Sequence, residues 1–215
     1  MCFHSQQSKS ATVLENRFKA KIKFPEQKKY QGIYNGFMYP ETPVIIDKNP
    51  EYINNYHWGL IPNWSKDDAI KAYTLNARIE TLKEKVSFKN AVQNRCLILA
   101  DGFYEWQWLD EKGKKKQKHL ITLKNDNLFA FAGIYSVWIN KITGEIRDTY
   151  SIVTTEANEL MSEIHNSKKR MPVILTEERE KDWLTGEEIE LFTKESVDLK
   201  AVPIQCEVGN FVINL

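Results

Sequence analysis

Between residues 11 and 22 apolar side chains fall at Ala11, Leu14, Phe18 and Ile22, with lysine and arginine filling the other face. That is helical spacing, and it predicts an amphipathic helix near the start of the chain. Residues 31–43 hold Gly32, Gly36, Pro40 and Pro43 among aromatics, which predicts an irregular loop before a short strand at 44–46. A second loop is expected through His57-Trp58-Gly59-Leu60-Ile61-Pro62-Asn63-Trp64, and after it a helix over 83–93. Four β-branched or aromatic runs follow, at 95–108, 119–123, 128–138 and 149–154, with turn residues at 110–113 and 140–144 between them. This pattern predicts consecutive hairpins and a sheet core.

A helix at 157–165, a strand at 171–175, a helix from Thr176 to Leu184 and a last strand near 201–205 complete the pattern. Strands in runs with segregated helices point to the α+β class. Internal repeats, low-complexity tracts and linkers are lacking, so one domain over 1–215 is expected.

Composition narrows the picture in three places. With 42% hydrophobic residues in a chain of 215, a substantial core can be buried. Thirty Lys plus Arg stand against 29 Asp plus Glu, so any basic surface must be local. No apolar run approaches the roughly 20 residues of a membrane span, and the start MCFHSQQSKS lacks a secretory signal; a cytoplasmic protein is expected. Cys2, Cys96 and Cys206 form neither an even set nor a C-x-x-C spacing, so neither a disulfide framework nor a metal site is expected.

Cys2 is the first candidate for chemistry. Removal of Met1 ahead of a small residue exposes an α-amine and a thiol on one residue. With an aldehyde, the amine forms a Schiff base and the sulfur closes a thiazolidine ring. The reference values, about 7.7 to 8.0 for the amine and about 8.5 for the thiol, leave both usable near neutrality after a modest push. His165 ends a helix and suits an acid or base. Glu105, a carboxylate among aromatics, is placed for a raised pKa. Asn76 offers an amide to orient an amine, and Arg78 a guanidinium for phosphate. Lys112, Lys114, Lys115, Lys116 and Lys118, with Lys168, Lys169 and Arg170, form local basic runs. Each has a structural alternative: a frayed terminus for Cys2, a helix cap for His165, a solvent face for Glu105, a cap and a surface ion pair for Asn76 and Arg78, and solvated loops for the lysines. His57 and His119 have no partner at metal-ligand spacing.

Six blocks in order carry a resemblance: Trp58-Gly59-Leu60-Ile61-Pro62, Asn76-Ala77-Arg78-Ile79-Glu80-Thr81, residues 95–106, Phe131-Ala132-Gly133, Thr154-Thr155-Glu156-Ala157-Asn158, and His165 with Arg170-Met171-Pro172. With the initiating Met1-Cys2, the chain resembles the SOS-response-associated peptidase (SRAP) family, also described as abasic-site processing proteins. The resemblance implies an α+β domain with a mostly antiparallel, barrel-like sheet, flanking helices and no cofactor or metal. It implies a soluble monomer that binds abasic sites in single-stranded DNA, crosslinks to them, and works near the replication machinery and nucleoid. In that reading the Cys2 amine attacks C1′, Asn76 positions it, Glu105 assists proton transfers, and His165 acts on the opened sugar. Arg78 and Arg170 hold phosphates, while Trp58, Trp64 and Trp106 supply a base-stacking wall. An activity on amide bonds through Cys2 and non-covalent single-strand binding are the alternatives. Two departures stand out: the family's usual Gly-Arg-Phe after the cysteine is Phe3-His4-Ser5 here, and the His-to-Arg-Met-Pro spacing is three residues longer.

Overall fold

The apolar run at 95–108 does not form one strand. It breaks at Asp101, and the two halves enter different sheets. The computed structural model describes residues 2–23, 30–193 and 197–204. Met1, Cys206 and the final residue of the expected last strand, Gln205, lie outside the described residues. Among those described, the chain runs β1 (His4–Gln7), α1 (Ala11–Phe18), β2 (Lys21–Ile22), β3 (Gly32–Asn35), β4 (Glu41–Ile46), β5 (Asn49–Trp58), β6 (Asn76–Arg78), β7 (Arg95–Ala100), β8 (Gly102–Trp108), β9 (Lys116–Leu123), β10 (Phe129–Ile139), β11 (Ile146–Glu156), α2 (Glu159–Ile164), β12 (Arg170–Pro172), β13 (Ile174–Leu175), α3 (Glu177–Leu184) and β14 (Leu199–Ile204).

Five strands close a barrel. β5, β4, β7, β10 and β11 are antiparallel at each joint, and a short parallel pairing of β11 with β5, Thr149 to His57 and Tyr150 to Trp58, joins the ends. Closure leaves the ring without an open edge. A second, antiparallel sheet has the order β14-β9-β8-β1-β3. The architecture is α+β, as the sequence pattern predicts, with the barrel-like sheet that the resemblance implies.

Side chains along the barrel strands alternate between two cores, as strand geometry requires. Ile45, Leu97, Leu99, Ala132 and Val153 pack with Leu14 of α1 and Trp183 of α3, which places this set on the outer face beneath the helices. Val44, Trp58, Ile98, Phe131, Tyr150 and Ile152 form the opposite set, which takes in Phe103 and Ile121 of the second sheet, Met161 and Ile164 of α2, and Cys2. The residue that moves the chain from barrel to second sheet is Asp101. Its carboxylate accepts hydrogen bonds from the backbone N–H of Ser8 at 3.1 Å and from the Ser8 hydroxyl, and its own N–H donates to Gln6 O at 3.0 Å.

The structure corrects four expectations. No α-helix forms at 83–93; one short 3-10 turn, Ile79–Thr81, precedes the stretch and another, Lys89–Ala91, lies within it. Only Phe88, Ala91 and Val92 of that stretch are buried apolar residues, while Val86 is exposed, too few for a continuous helical stripe. The loop expected at 31–43 contains β3, and the loop starting at His57 begins inside β5, a ten-residue strand. The first helix ends at Phe18 rather than Ile22, stopped by Lys19 in a left-handed conformation with φ 52°. No helix among the described residues is long and apolar enough to cross a membrane.

Gly133 marks the tightest approach in the barrel: a Cβ there would lie 2.2 Å from Ile98 Cδ1 and 2.8 Å from Cys96 Sγ. Both neighbours are buried and have nowhere to move. Gly133→Ala is therefore expected to lower unfolding stability by about 1–3 kcal/mol, read as a reduced urea midpoint; an unchanged midpoint would show that the barrel can open at this point.

Candidate functional site around Cys2

β1 lies between β3 and β8, with His4 opposite Asn35 on one side and Tyr104 on the other. The antiparallel register carries the residues just before His4 alongside the continuation of β8, Glu105 and Trp106. Two hydrogen bonds then fix the backbone ahead of the strand. Asn76 Nδ2 donates to Cys2 O at 2.9 Å, and the Gly36 N–H donates to Phe3 O at 2.8 Å. Asn76 is itself held on β6, where it pairs with Ile152 of the barrel strand β11. Its other side-chain atom, Oδ1, is buried without a hydrogen-bond partner among the described residues.

The Cys2 side chain is fully buried, with Sγ 3.7 Å from His4 O. Burial, with the charge of Glu105 adding, pushes its thiol well above the usual range. The sulfur is thus protonated at neutral pH and needs a base before it can act as a nucleophile. Glu105 is the nearest carboxyl to meet that need. Burial pushes its pKa from 4.5 up to about 7, the range in which a carboxyl can both give and accept protons.

His165 caps the C-terminal end of α2. Its Nδ1 lies 2.7 Å from Arg170 O and 3.2 Å from Arg170 N, so the Arg170 backbone fixes the ring in either tautomer. Burial is the largest cause lowering its pKa to about 4. It is a neutral imidazole near pH 7, able to accept a proton. Met161 and Ile164 of the same helix pack in the cluster that contains Cys2. Cys2 thus has Asn76 hydrogen-bonded to its carbonyl and the Glu105 charge acting on its thiol, while His165 ends the helix whose Met161 and Ile164 pack in the same cluster.

The residues expected to hold DNA are placed less uniformly. Arg78 is exposed two positions after Asn76, and its guanidinium forms no hydrogen bond or ion pair among the described residues. Arg170 is buried: its guanidinium pairs with both Glu80 carboxylate oxygens at 2.7 and 2.9 Å and donates to Thr154 O at 2.8 Å. Trp58 is fully buried, donates to Leu75 O at 2.9 Å and stacks on Tyr150. Trp64 is half-exposed in the turn after β5, with no ring contact or hydrogen bond to the Cys2 group. Trp106 is half-buried, its ring 4.8 Å from that of His4.

Three further residues take part in this arrangement: Phe37, which carried no sequence signal, Lys118, known only as part of a basic run, and Glu80, given no role. Phe37 packs on Phe3 at 4.7 Å and extends the His4–Trp106 contact into a strip of rings beside Cys2. Lys118 lies over Tyr104 at 4.3 Å and Trp106 at 5.5 Å. Burial first and then the Lys118 charge lower the pKa of His4 below 6.5, so this strip is uncharged apart from the lysine. Glu80 is the third, through its grip on Arg170; its place four residues after Asn76 in a matched block was the available clue. Among the described residues no group of three His, Cys, Asp or Glu side chains is placed to hold a metal ion. A cavity of about 510 Å³ lined by Arg17, Leu123, Phe129, Thr176 and Val197, among others, contains none of these residues.

Comparison with known proteins adds four findings. The family described as SOS response associated peptidase (SRAP) matches residues 1–211. Abasic site processing protein YoqW of Bacillus subtilis (strain 168) is 51% identical over 142 residues, covering 66% of this chain and 61% of its own length. Abasic site processing protein HMCES of Gallus gallus is 31% identical over 204 residues, 80% of this chain and 58% of its own length. The chain thus spans about three fifths of the length of these relatives. A crystal structure of a Bacteroides thetaiotaomicron protein is similar with a TM-score of 0.86 at 33% identity, covering 95% of this chain and 92% of that one.

The raised pKa of Glu105 has a measurable cost. The folded carboxyl holds its proton up to about pH 7 while the unfolded one releases it near 4.5, so stability is lost as pH rises through that window. Glu105→Gln cannot ionise and is expected to remove most of this loss, stabilising the protein at pH 8 by up to about 3 kcal/mol and changing little at pH 4. Denaturation of both proteins at the two pH values checks this, and equal effects at both would show that Glu105 titrates normally.

Proposed function

The chain belongs to the SOS response associated peptidase (SRAP) family, and from that premise we propose that it recognises abasic sites in single-stranded DNA and captures them covalently through Cys2. The observation that carries this reading is the convergence on Cys2 of an amide at its carbonyl and a buried carboxyl beside its thiol. An abasic sugar in its ring-opened form presents an aldehyde at C1′, the electrophile that a 1,2-aminothiol takes up.

The proposed reaction starts when Met1 leaves, by autoprocessing or by an aminopeptidase, and frees the Cys2 amine. Asn76 already orients the residue through its carbonyl, and its unpartnered Oδ1 is available to accept an amine N–H. The amine adds to C1′ to give a carbinolamine. Glu105, half protonated near neutrality, donates a proton to the departing hydroxyl, and water and a Schiff base result. The carboxylate so formed then takes the thiol proton while sulfur bonds to C1′ of the protonated Schiff base; nitrogen keeps the N–H it already has, the thiazolidine is complete, and Glu105 regains its proton. Addition and ring closure together release one water. His165, neutral near pH 7 and held in place by the Arg170 backbone, would act on the opened sugar and support reversal or a lyase reaction.

For DNA contact, Arg78 is the freest phosphate ligand, and Trp106 with His4, Phe3 and Phe37 supplies stacking surface beside the thiol. Trp58 supports that surface from beneath rather than meeting a base. Arg170 would have to release Glu80 to reach a phosphate, and its present contacts hold the backbone that fixes His165.

The test is intact-mass measurement of the protein before and after incubation with a single-stranded oligonucleotide bearing one abasic site. Loss of Met1 and gain of the oligonucleotide mass less one water are expected. Cys2→Ala should abolish the adduct, and Glu105→Gln should slow it by about 10²-fold or more and remove the pH dependence near 7. An adduct that persists in Cys2→Ala would sink the proposal.

A further inference from the structure

The β8–β9 hairpin extends past Trp106 to a tip built with more order than a solvated lysine loop requires. The Asp110 carboxylate accepts backbone N–H bonds from Lys112, Lys114 and Lys115 at 2.9, 3.0 and 2.6 Å. Gly113, with φ 61°, lies against the face of Trp108, where a Cβ would meet Cδ2 at 2.5 Å. Leu109 N–H donates to Lys115 O at 2.9 Å and closes the turn. With its carboxylate engaged on backbone, Asp110 is unavailable to the lysine side chains. Lys112, Lys114, Lys115 and Lys116 are exposed, and their ammonium groups form no ion pair among the described residues.

A second basic segment is locked to this tip. Asn166, in the lengthened stretch after His165, accepts the Trp108 N–H at 3.1 Å through Oδ1 and donates to Trp108 O at 2.9 Å through Nδ2. The next turn presents Lys168 and Lys169, both exposed, with Lys169 at φ 49° and its carbonyl bonded to Ala157 N–H. The extra residues between His165 and Arg170 therefore dock against the hairpin and bring its lysines and their own into one surface.

We propose that the hairpin tip and the turn after His165 together bind phosphates of single-stranded DNA flanking the Cys2 site. The inference rests on the reading of that site as a single-strand DNA site and extends it outward. Six exposed lysines gathered on one surface repel one another, and a polyanion relieves that repulsion. The surface is continuous with the strip at Trp106 through Lys118, which lies over that ring. A mixture of cations and an accessible aromatic is the pattern that holds single strands. From Trp106 the strand carries the surface outward by about 3.3 Å per residue, so the tip reaches a few nucleotides beyond the lesion. There Trp108 is covered by Gly113 and Lys116, so contact with the flank reads phosphates and not bases.

The experiment measures binding of a fluorescein-labelled, lesion-free single strand of about 20 nucleotides across a salt titration, beside one of about five. Lys114→Gln/Lys115→Gln/Lys168→Gln is expected to weaken the longer strand about tenfold or more. It should also flatten the slope of log affinity against log salt by about 2, at about 0.7 per lost phosphate contact. The loss should shrink for the short strand, and the same three positions changed to Arg should restore the slope. Thermal midpoints of the variants establish that they are folded. Affinity and slope equal to the unsubstituted protein would overturn the proposal, as would a greater loss on blunt duplex than on single strand. Covalent capture is scored separately with the abasic strand. A missing adduct with an intact salt response overturns the Cys2 chemistry alone.

Discussion

The pairing of β1 with both β3 and β8 is the interaction on which the remainder depends. Chain ends ordinarily fray unless they are tied down. Here four residues, His4–Gln7, fill the gap between two other strands, so removing them would expose two sheet edges at once. The same ladder sets the position of Cys2, which lies two residues before its first pair. Asn76 and Gly36 then hold the last two carbonyls in place. Stability of the second sheet and placement of Cys2 are one structural event. A displacement of the terminus cannot occur without opening the sheet.

Burial around that terminus produces a group of proton carriers that are all close to neutral. The thiol keeps its proton, the imidazole of His165 lacks a second one, and Glu105 sits near half ionisation at about 7. Cys2 and His165 thus enter the site without a full charge of their own, which lessens the penalty of burying ions there. It also means that each proton transfer changes the charge balance of a low-dielectric region, so transfers must be coupled. A carboxyl near 7 beside a thiol held above its usual range suits a reaction in which one proton is donated and another withdrawn in succession.

Much of this was legible in the sequence, for physical reasons that differ by element. β10 is a nearly continuous apolar run because both faces of that strand are covered along most of its length, and Thr176 stands at the N-cap of α3 as expected. β5 was not legible: Asn49, Pro50, Asn54 and Asn55 are poor strand formers, and it exists because β4 and β11 take its backbone hydrogen bonds. β6 is only three residues long and owes its form to β11. At the site, Cys2, Asn76, Glu105 and His165 stood out as residues, but which of the cationic and aromatic residues would be free did not. Arg170 and Arg78 have the same chemistry in sequence; a carboxylate at Glu80 separates them in space. Trp58 and Trp106 are likewise indistinguishable until burial is known.

The lengthened segment between His165 and Arg170 shows how a departure from a family pattern can leave the centre untouched. A longer connection would be expected to slacken the relation between its ends. Instead the Lys168 and Lys169 N–H groups both return to His165 O, at 3.2 and 2.8 Å, winding the extra residues into a closed turn. His165 Nδ1 and Arg170 O meet across the mouth of that turn at 2.7 Å. The imidazole orientation is thus set by Arg170's backbone, and Arg170 is in turn fixed by Glu80 and Thr154, whatever lies between. Added length is expelled outward, where Asn166 finds β8. Residues inserted at such a closed mouth alter the surface the protein offers and leave the His165 imidazole where it was.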